Sequence, residues 1–99
     1  MALTDTQRRH LRGLAHHLKP VVLMGQAGLK DTVLAEIDGA LTHHELVKVK
    51  VAAEDRDDRA RIIEAIVAST GADLVQTIGH MAVLFRRNPK KPRVALPPA

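Results

Sequence analysis

The chain has 99 residues, 45% of them apolar, with one aromatic side chain and no cysteine. This bounds it to one small domain and excludes disulfides, thiolate nucleophiles and cysteine-type zinc sites. The net charge of +4 is uneven: residues 86–99 hold Arg86, Arg87, Lys90, Lys91 and Arg93 and no acid, while the remaining 85 residues carry ten basic and eleven acidic side chains. A polyanionic partner therefore fits particular surfaces and not a uniformly basic body. The opening MALTDTQRRH lacks an apolar signal core, and no segment is long enough to span a bilayer. A soluble, cytoplasmic protein with no membrane partner is the expectation.

The first helix is expected over residues 5–18. Thr4 and Gln7 have capping-box spacing. Leu11, Leu14, Ala15 and Leu18 make the buried stripe, and Arg8, Arg9, Arg12 and His16 project from the other side. Gly13 weakens the helix by up to about 1 kcal/mol and suggests close packing there. Lys19-Pro20 ends it, since the residue before proline leaves the helical region. The apolar run 21–24 reads as a central strand. A second helix over residues 30–42 places Val33, Leu34, Ile37, Ala40 and Leu41 at core spacing.

Residues 46–51, LVKVKV, alternate as a half-buried strand does, valines inward and Lys48 and Lys50 outward together. Asp55 caps a third helix, Asp57 and Asp58 suit its positive dipole end, Ile62, Ile63, Ile66 and Val67 form its stripe, and Gly71 stops it. Strands 73–78 and 81–86 form a hairpin about Gly79-His80. The α-β-α-β-α-β-β order implies an α/β fold, a mixed four-stranded sheet flanked by helices, with β1 and β2 parallel through a right-handed crossover. Residues 1–87 form the domain. Four prolines and the basic groups after Phe85 leave no packable pattern, so 88–99 reads as a flexible basic tail.

Between the first strand and the second helix lies Gly25-Gln26-Ala27-Gly28, followed by Leu29 and Lys30. A strand entering a helix through such a loop leaves backbone N–H groups free to meet an anion. Glycine lets a phosphate approach the backbone, and a Gly-x-x-Gly loop that clamps a nucleic-acid backbone is known from the KH module. By spacing alone it is also common turn chemistry. It is not a nucleotide-hydrolysing P-loop, which needs four residues between its glycines and then Gly-Lys-Ser/Thr. Arg8, Arg9 and Arg12 on one helix, Lys19 before the first strand, Lys48 and Lys50 on one strand face, and Arg86 and Arg87 beyond the hairpin extend the basic groups available for phosphate contacts. With Phe85 the single aromatic, readout by base stacking is not expected; structured RNA, read through shape and backbone, fits better.

Six histidines raise a metal site, but no pair has zincin spacing with a carboxylate. Four of them, His16, His17, His43 and His44, fall at helix C-termini, where imidazolium suits the dipole. Glu54, Asp55, Asp57 and Asp58 are interrupted by Arg56 and lack the glycine of a calcium loop. No nucleophile with a base at workable spacing stands out. No enzyme activity, metal, cofactor or small-molecule substrate is expected.

The segments LRGLAHHLKPVVLMGQAGL, VLAEIDGALTHHELVKVKV and VQTIGHMAVLFR resemble the CRM domain (chloroplast RNA splicing and ribosome maturation) family, in its stand-alone bacterial, YhbY-like form. The resemblance spans residues 3 to about 87. It implies a fold similar to the C-terminal domain of translation initiation factor three, RNA binding, and association with large-subunit ribosomal RNA in pre-ribosomal particles. The family's loop falls on Gly25, Gln26, Ala27 and Gly28, and its basic surface on Lys19, Lys48 and Lys50. Lys30 stands where many relatives carry a threonine able to cap the second helix, and His80 where lysine is common. The alternatives are a double-stranded DNA-binding protein using the same cations, or a protein-interaction module.

Overall fold

The computed structural model describes residues 3–24 and 29–98. Its elements run α1 (Asp5–Ala15), β1 (Val22–Met24), α2 (Asp31–His44), β2 (Leu46–Val51), α3 (Arg56–Thr70), β3 (Asp73–Ile78) and β4 (Met81–Phe85). β2, β4 and β3 form an antiparallel sheet. The three-residue β1 lies along β2 in parallel, giving the order β1-β2-β4-β3.

Local chemistry explains most boundaries. The Thr4 hydroxyl accepts from the Gln7 N–H at 3.1 Å, and the Gln7 side chain accepts from the Thr4 N–H at 3.1 Å, closing the capping box. The Asp55 carboxylate caps α3 by accepting from the Asp58 N–H at 2.8 Å. Gly71 ends α3 at φ 72°, and Gly79 turns the β3–β4 hairpin at φ 54°; glycine meets both without a Cβ clash. The β3 strand carries a bulge between Leu74 and Gln76, which leaves Val75 out of register with β4.

The sheet separates two cores. On one face α2 and α3 bury Ile37, Leu41, Ile63 and Ile66 against Val47, Val49, Val51, Ala82 and Leu84. On the other, α1 sets Leu11 and Ala15 on Leu46, Val75, Val83 and Phe85. The pleat assigns alternate residues of β4 to the two cores, so Ala82 through Phe85 are all buried.

Three expectations need correction. The central strands are β2 and β4, whereas β1 is an edge strand and Val21, 50% exposed, lies outside it. An unbroken apolar run marks burial on both faces, and MAVLF of β4 meets that description, not the run before Gly25. Helix α1 stops at Ala15, with the Leu18 N–H turning back to the Ala15 carbonyl. Leu14 and Leu18 are therefore exposed, and Gln7, Leu11 and Ala15 form the inward stripe. A Cβ at Gly13 would meet nothing within 4 Å, so this glycine serves no close approach.

The residues after β4 do not hang free. Val94 and Leu96 pack against the α1-side core, and the Gln7 amide donates to the Pro97 carbonyl at 3.1 Å. A flexible tail was expected because prolines break any regular period; the contacts that hold this strap are scattered single residues meeting partners far away in sequence.

Candidate nucleic-acid interface

Helix α1 is short, and it covers only part of its sheet face. Beside it runs a shallow groove of about 360 Å³ with Arg9, Arg12, Gly13 and His16 along one wall and Lys48, Gln76 and Ile78 on the sheet. Arg9, Arg12 and His16 are exposed and Lys48 is half-buried. Among the described residues, no carboxylate lines the groove. Lys48 emerges here because alternation puts it on the face opposite Val47 and Val49. The Val21 N–H donates to the Lys48 carbonyl at 3.0 Å, which fixes the backbone two residues after the exposed Lys19 beside this strand.

Gly25, Gln26, Ala27 and Gly28 lie outside the described residues; their flanks are placed. Met24 pairs with Val51 in the sheet, and Leu29 lines a hollow with Lys50 and His80. Glu54 and Asp58 line the same hollow, so its charge is mixed. Lys30 occupies the N-cap of α2 with extended backbone (φ −102°, ψ 162°) and makes no side-chain capping bond. Its ammonium is a donor and cannot accept from the helix amides, so the lysine supplies charge at this helix start and no cap.

The remaining predicted contacts are tied into the fold. Arg8 donates to the Leu74 carbonyl beside the β3 bulge. Arg86 pairs with Asp38 at 2.6 Å and also donates to the Thr70 and Asp38 carbonyls and the Thr42 hydroxyl, stitching α2 to the end of α3. Arg87 reaches the Glu45 carboxylate at 3.2 Å and the Val94 carbonyl at 2.9 Å, and its guanidinium sits 5.4 Å from the centre of the Phe85 ring. Three of the arginines singled out from sequence thus hold the molecule together, while Arg9 and Arg12 face the groove.

Glu45 went unnoticed in the sequence and organises one end of the domain. It is fully buried at the C-cap of α2, with φ 62° and ψ −47°. That backbone is strained for a residue with a Cβ, and the side chain supplies the reason to hold it. Its carboxylate accepts from the N–H groups of Asn88 at 2.6 Å, of Arg93 at 2.5 Å and of Val94 at 2.7 Å, besides Arg87. Burial pushes the Glu45 pKa up, but those three amides and the Arg87 guanidinium together outweigh it and hold the carboxyl below its ordinary range. The available signal was an acid between a helix end and an apolar strand, in a chain whose last residues are rich in donors.

Among the described residues, no group of three or more metal-ligating side chains comes together, and no helix is long and apolar enough to cross a membrane. Phe85, the one Phe, Tyr or Trp of the chain, is fully buried and so is not available for base stacking.

The model of the CRS1/YhbY (CRM) domain matches residues 3–86. The chain belongs to this family. An RNA-binding protein of Haemophilus influenzae is 54% identical over 95 residues, which are 96% of this chain and 95% of that one. A Pseudomonas aeruginosa relative named "Probable RNA-binding protein" is 48% identical over 90 residues, 91% of this chain and 86% of its own. The solution structure of a Staphylococcus aureus protein superposes with a TM-score of 0.84 at 35% identity, covering 97% of this chain and all of the other. The CRM domain thus accounts for the body, α1 through β4, and its stand-alone bacterial members match this chain nearly end to end.

Proposed function

We propose that this protein is a non-catalytic RNA-binding module of the cytoplasm that docks on structured ribosomal RNA and assists assembly of the large ribosomal subunit. RNA binding is supported by the names of its relatives in Haemophilus influenzae and Pseudomonas aeruginosa. The observation that carries the reading is the groove beside α1: two exposed arginines, a histidine and Lys48 converge with no carboxylate among the described lining residues. Such a surface attracts phosphates. With Phe85 buried and no Tyr or Trp in the chain, the groove is read as holding the RNA backbone.

In this reading Gly25, Gln26, Ala27 and Gly28 hold one phosphate at the start of α2. Lys30 and Lys50 neutralise its neighbours, and Lys19, Lys48, Arg9 and Arg12 carry the backbone on across the open sheet face. Arg8, Arg86 and Arg87 position elements and make no primary contact. Large-subunit RNA as the target follows from the resemblance to ribosome-maturation proteins.

Replacing Gln26-Ala27 by Asp-Asp tests the loop. The melting temperature is expected to stay nearly unchanged while affinity for a structured fragment of large-subunit RNA is lost; retained affinity rejects the loop. Competition between that RNA and duplex DNA of equal length at fixed salt separates the nucleic acids. Equal competition would favour a general polyanion binder over an RNA module.

A further inference from the structure

We propose that the strap after β4 forms a second, preorganised site for a phosphate backbone, at the far end of α2 from the glycine loop, so that one molecule grips two stretches of RNA. The proposal rests on the RNA-binding reading above.

The strap is pinned on both sides of its basic residues. Asn88 Oδ1 accepts from the N–H groups of Lys90 and Lys91 at 3.1 and 3.2 Å, and its Nδ2 donates to the Thr42 carbonyl at 3.2 Å. The N–H groups of Asn88, Arg93 and Val94 all end on the Glu45 carboxylate. Pro89 and Pro92 bracket the two lysines and fix φ there. The backbone from 88 to 94 is thereby held, while Lys90, Lys91 and Arg93 remain exposed. Among the described residues none of the three has an ion-pair partner. The carboxylate under the strap is buried, and its oxygens already accept from Arg87 and the three amides. Exposed His43 and His44, next in sequence to Thr42, border the same end of α2.

A loose tail of equal charge would have to give up backbone freedom on binding RNA. This strap has been ordered by the fold beforehand, so its cations meet phosphates with little further loss. Position makes it a distinct site. The 14 residues of α2 span about 21 Å at helical rise. That is more than two Debye lengths of about 8 Å at physiological salt, so the strap and the loop end act on separate phosphates and their salt dependences add.

The experiment measures affinity for a structured transcript of large-subunit RNA across a salt series. It compares wild type, the triple variant Lys90→Gln/Lys91→Gln/Arg93→Gln, and Asn88→Ala, which keeps every charge but removes the turn. The triple variant is expected to lower the slope of log affinity against log salt by about 2–3, at 0.7–0.9 per contact, and to fail to co-capture a second labelled RNA on an immobilised first one. Asn88→Ala is expected to bind severalfold more weakly at unchanged charge. A triple variant with the wild-type slope overturns the site, and Asn88→Ala with wild-type affinity overturns its preorganisation in favour of diffuse attraction. Wild type that fails to bind the RNA sinks the parent reading itself, an outcome distinct from both.

Discussion

Two pairs of arginines, Arg9 and Arg12 near one end of the chain and Arg86 and Arg87 near the other, have opposite surroundings. Arg9 and Arg12 stand exposed over a groove with no acid among its described lining residues. Arg86 and Arg87 are folded back onto Asp38, Thr42, Thr70 and Glu45. What divides them is an acid or carbonyl brought close by the fold from some 40 positions away in sequence, as the separations of 48 and 42 residues in the Arg86–Asp38 and Arg87–Glu45 pairs show. A cation with such a partner rigidifies the domain; a cation without one is left for a phosphate. Substitutions can break this division or sharpen it.

The largest effect is expected at Glu45. Truncation to alanine strands three amides and a guanidinium around a buried hole, a loss of about 3–5 kcal/mol. At about 4–8 °C per kcal/mol for a domain of this size, thermal melting should fall by more than 12 °C; a shift of only a few degrees would show that the strap is not clasped. The same residue sets an acid limb of stability. Its folded pKa lies below the ordinary 4.5, so the unfolded chain takes up the proton first as pH drops. The stabilisation is complete above about that value and is lost as pH falls through the lower folded pKa. Urea midpoints followed downward from pH 6 should decline more steeply in wild type than in Glu45→Gln, where this contribution is absent at every pH.

Arg86→Ala comes next. It removes bonds to two carbonyls, a hydroxyl and the largely exposed Asp38. After allowance for solvent screening of that ion pair, about 1–2 kcal/mol is expected. RNA affinity well below the melting temperature should barely change. The mirror case is Arg12→Gln with Lys48→Gln, for which stability is expected within about 0.5 kcal/mol of wild type. There the salt slope for RNA should drop by roughly 0.7–0.9 for each phosphate contact removed. If Arg86→Ala lost RNA and the groove variant lost stability, the division would be the wrong way round.

These cases also show what the sequence could disclose. Signals that act within four residues were readable: the Thr4–Gln7 box, the Asp55 cap, the left-handed Gly71, the Gly79-His80 turn and the alternation of β2 all stand where the pattern puts them. Which stripe of α1 is buried was not, because a short helix covering part of a sheet face leaves Leu14 and Leu18 uncovered for reasons of tertiary placement. The strap was invisible for the same reason. Val94 and Leu96 have no period, and the carboxylate that fixes the strap belongs to the end of another element. Of the interface, the lysines of β2 and the arginines of α1 could be read from strand and helix periodicity. The assignment of Arg8, Arg86 and Arg87 to structure needed their long-range partners.

The smallest expected effect falls at Lys30, where both roles meet in one side chain. Its backbone already has the extended conformation of an N-cap, and no side chain caps the α2 amides there. Lys30→Thr supplies a hydroxyl acceptor and should stabilise the domain by about 0.5–1 kcal/mol, seen as a rise in melting temperature of a few degrees. If Lys30 serves the loop end by charge, the same change should weaken RNA binding and lower the salt slope by about one contact. A gain in stability with undiminished affinity would place Lys30 outside the interface. A loss of both would mean that its stem packs on the domain in a way the exposed lysine does not show. Only opposed signs, tighter folding with looser RNA, fit a position where charge has displaced a cap.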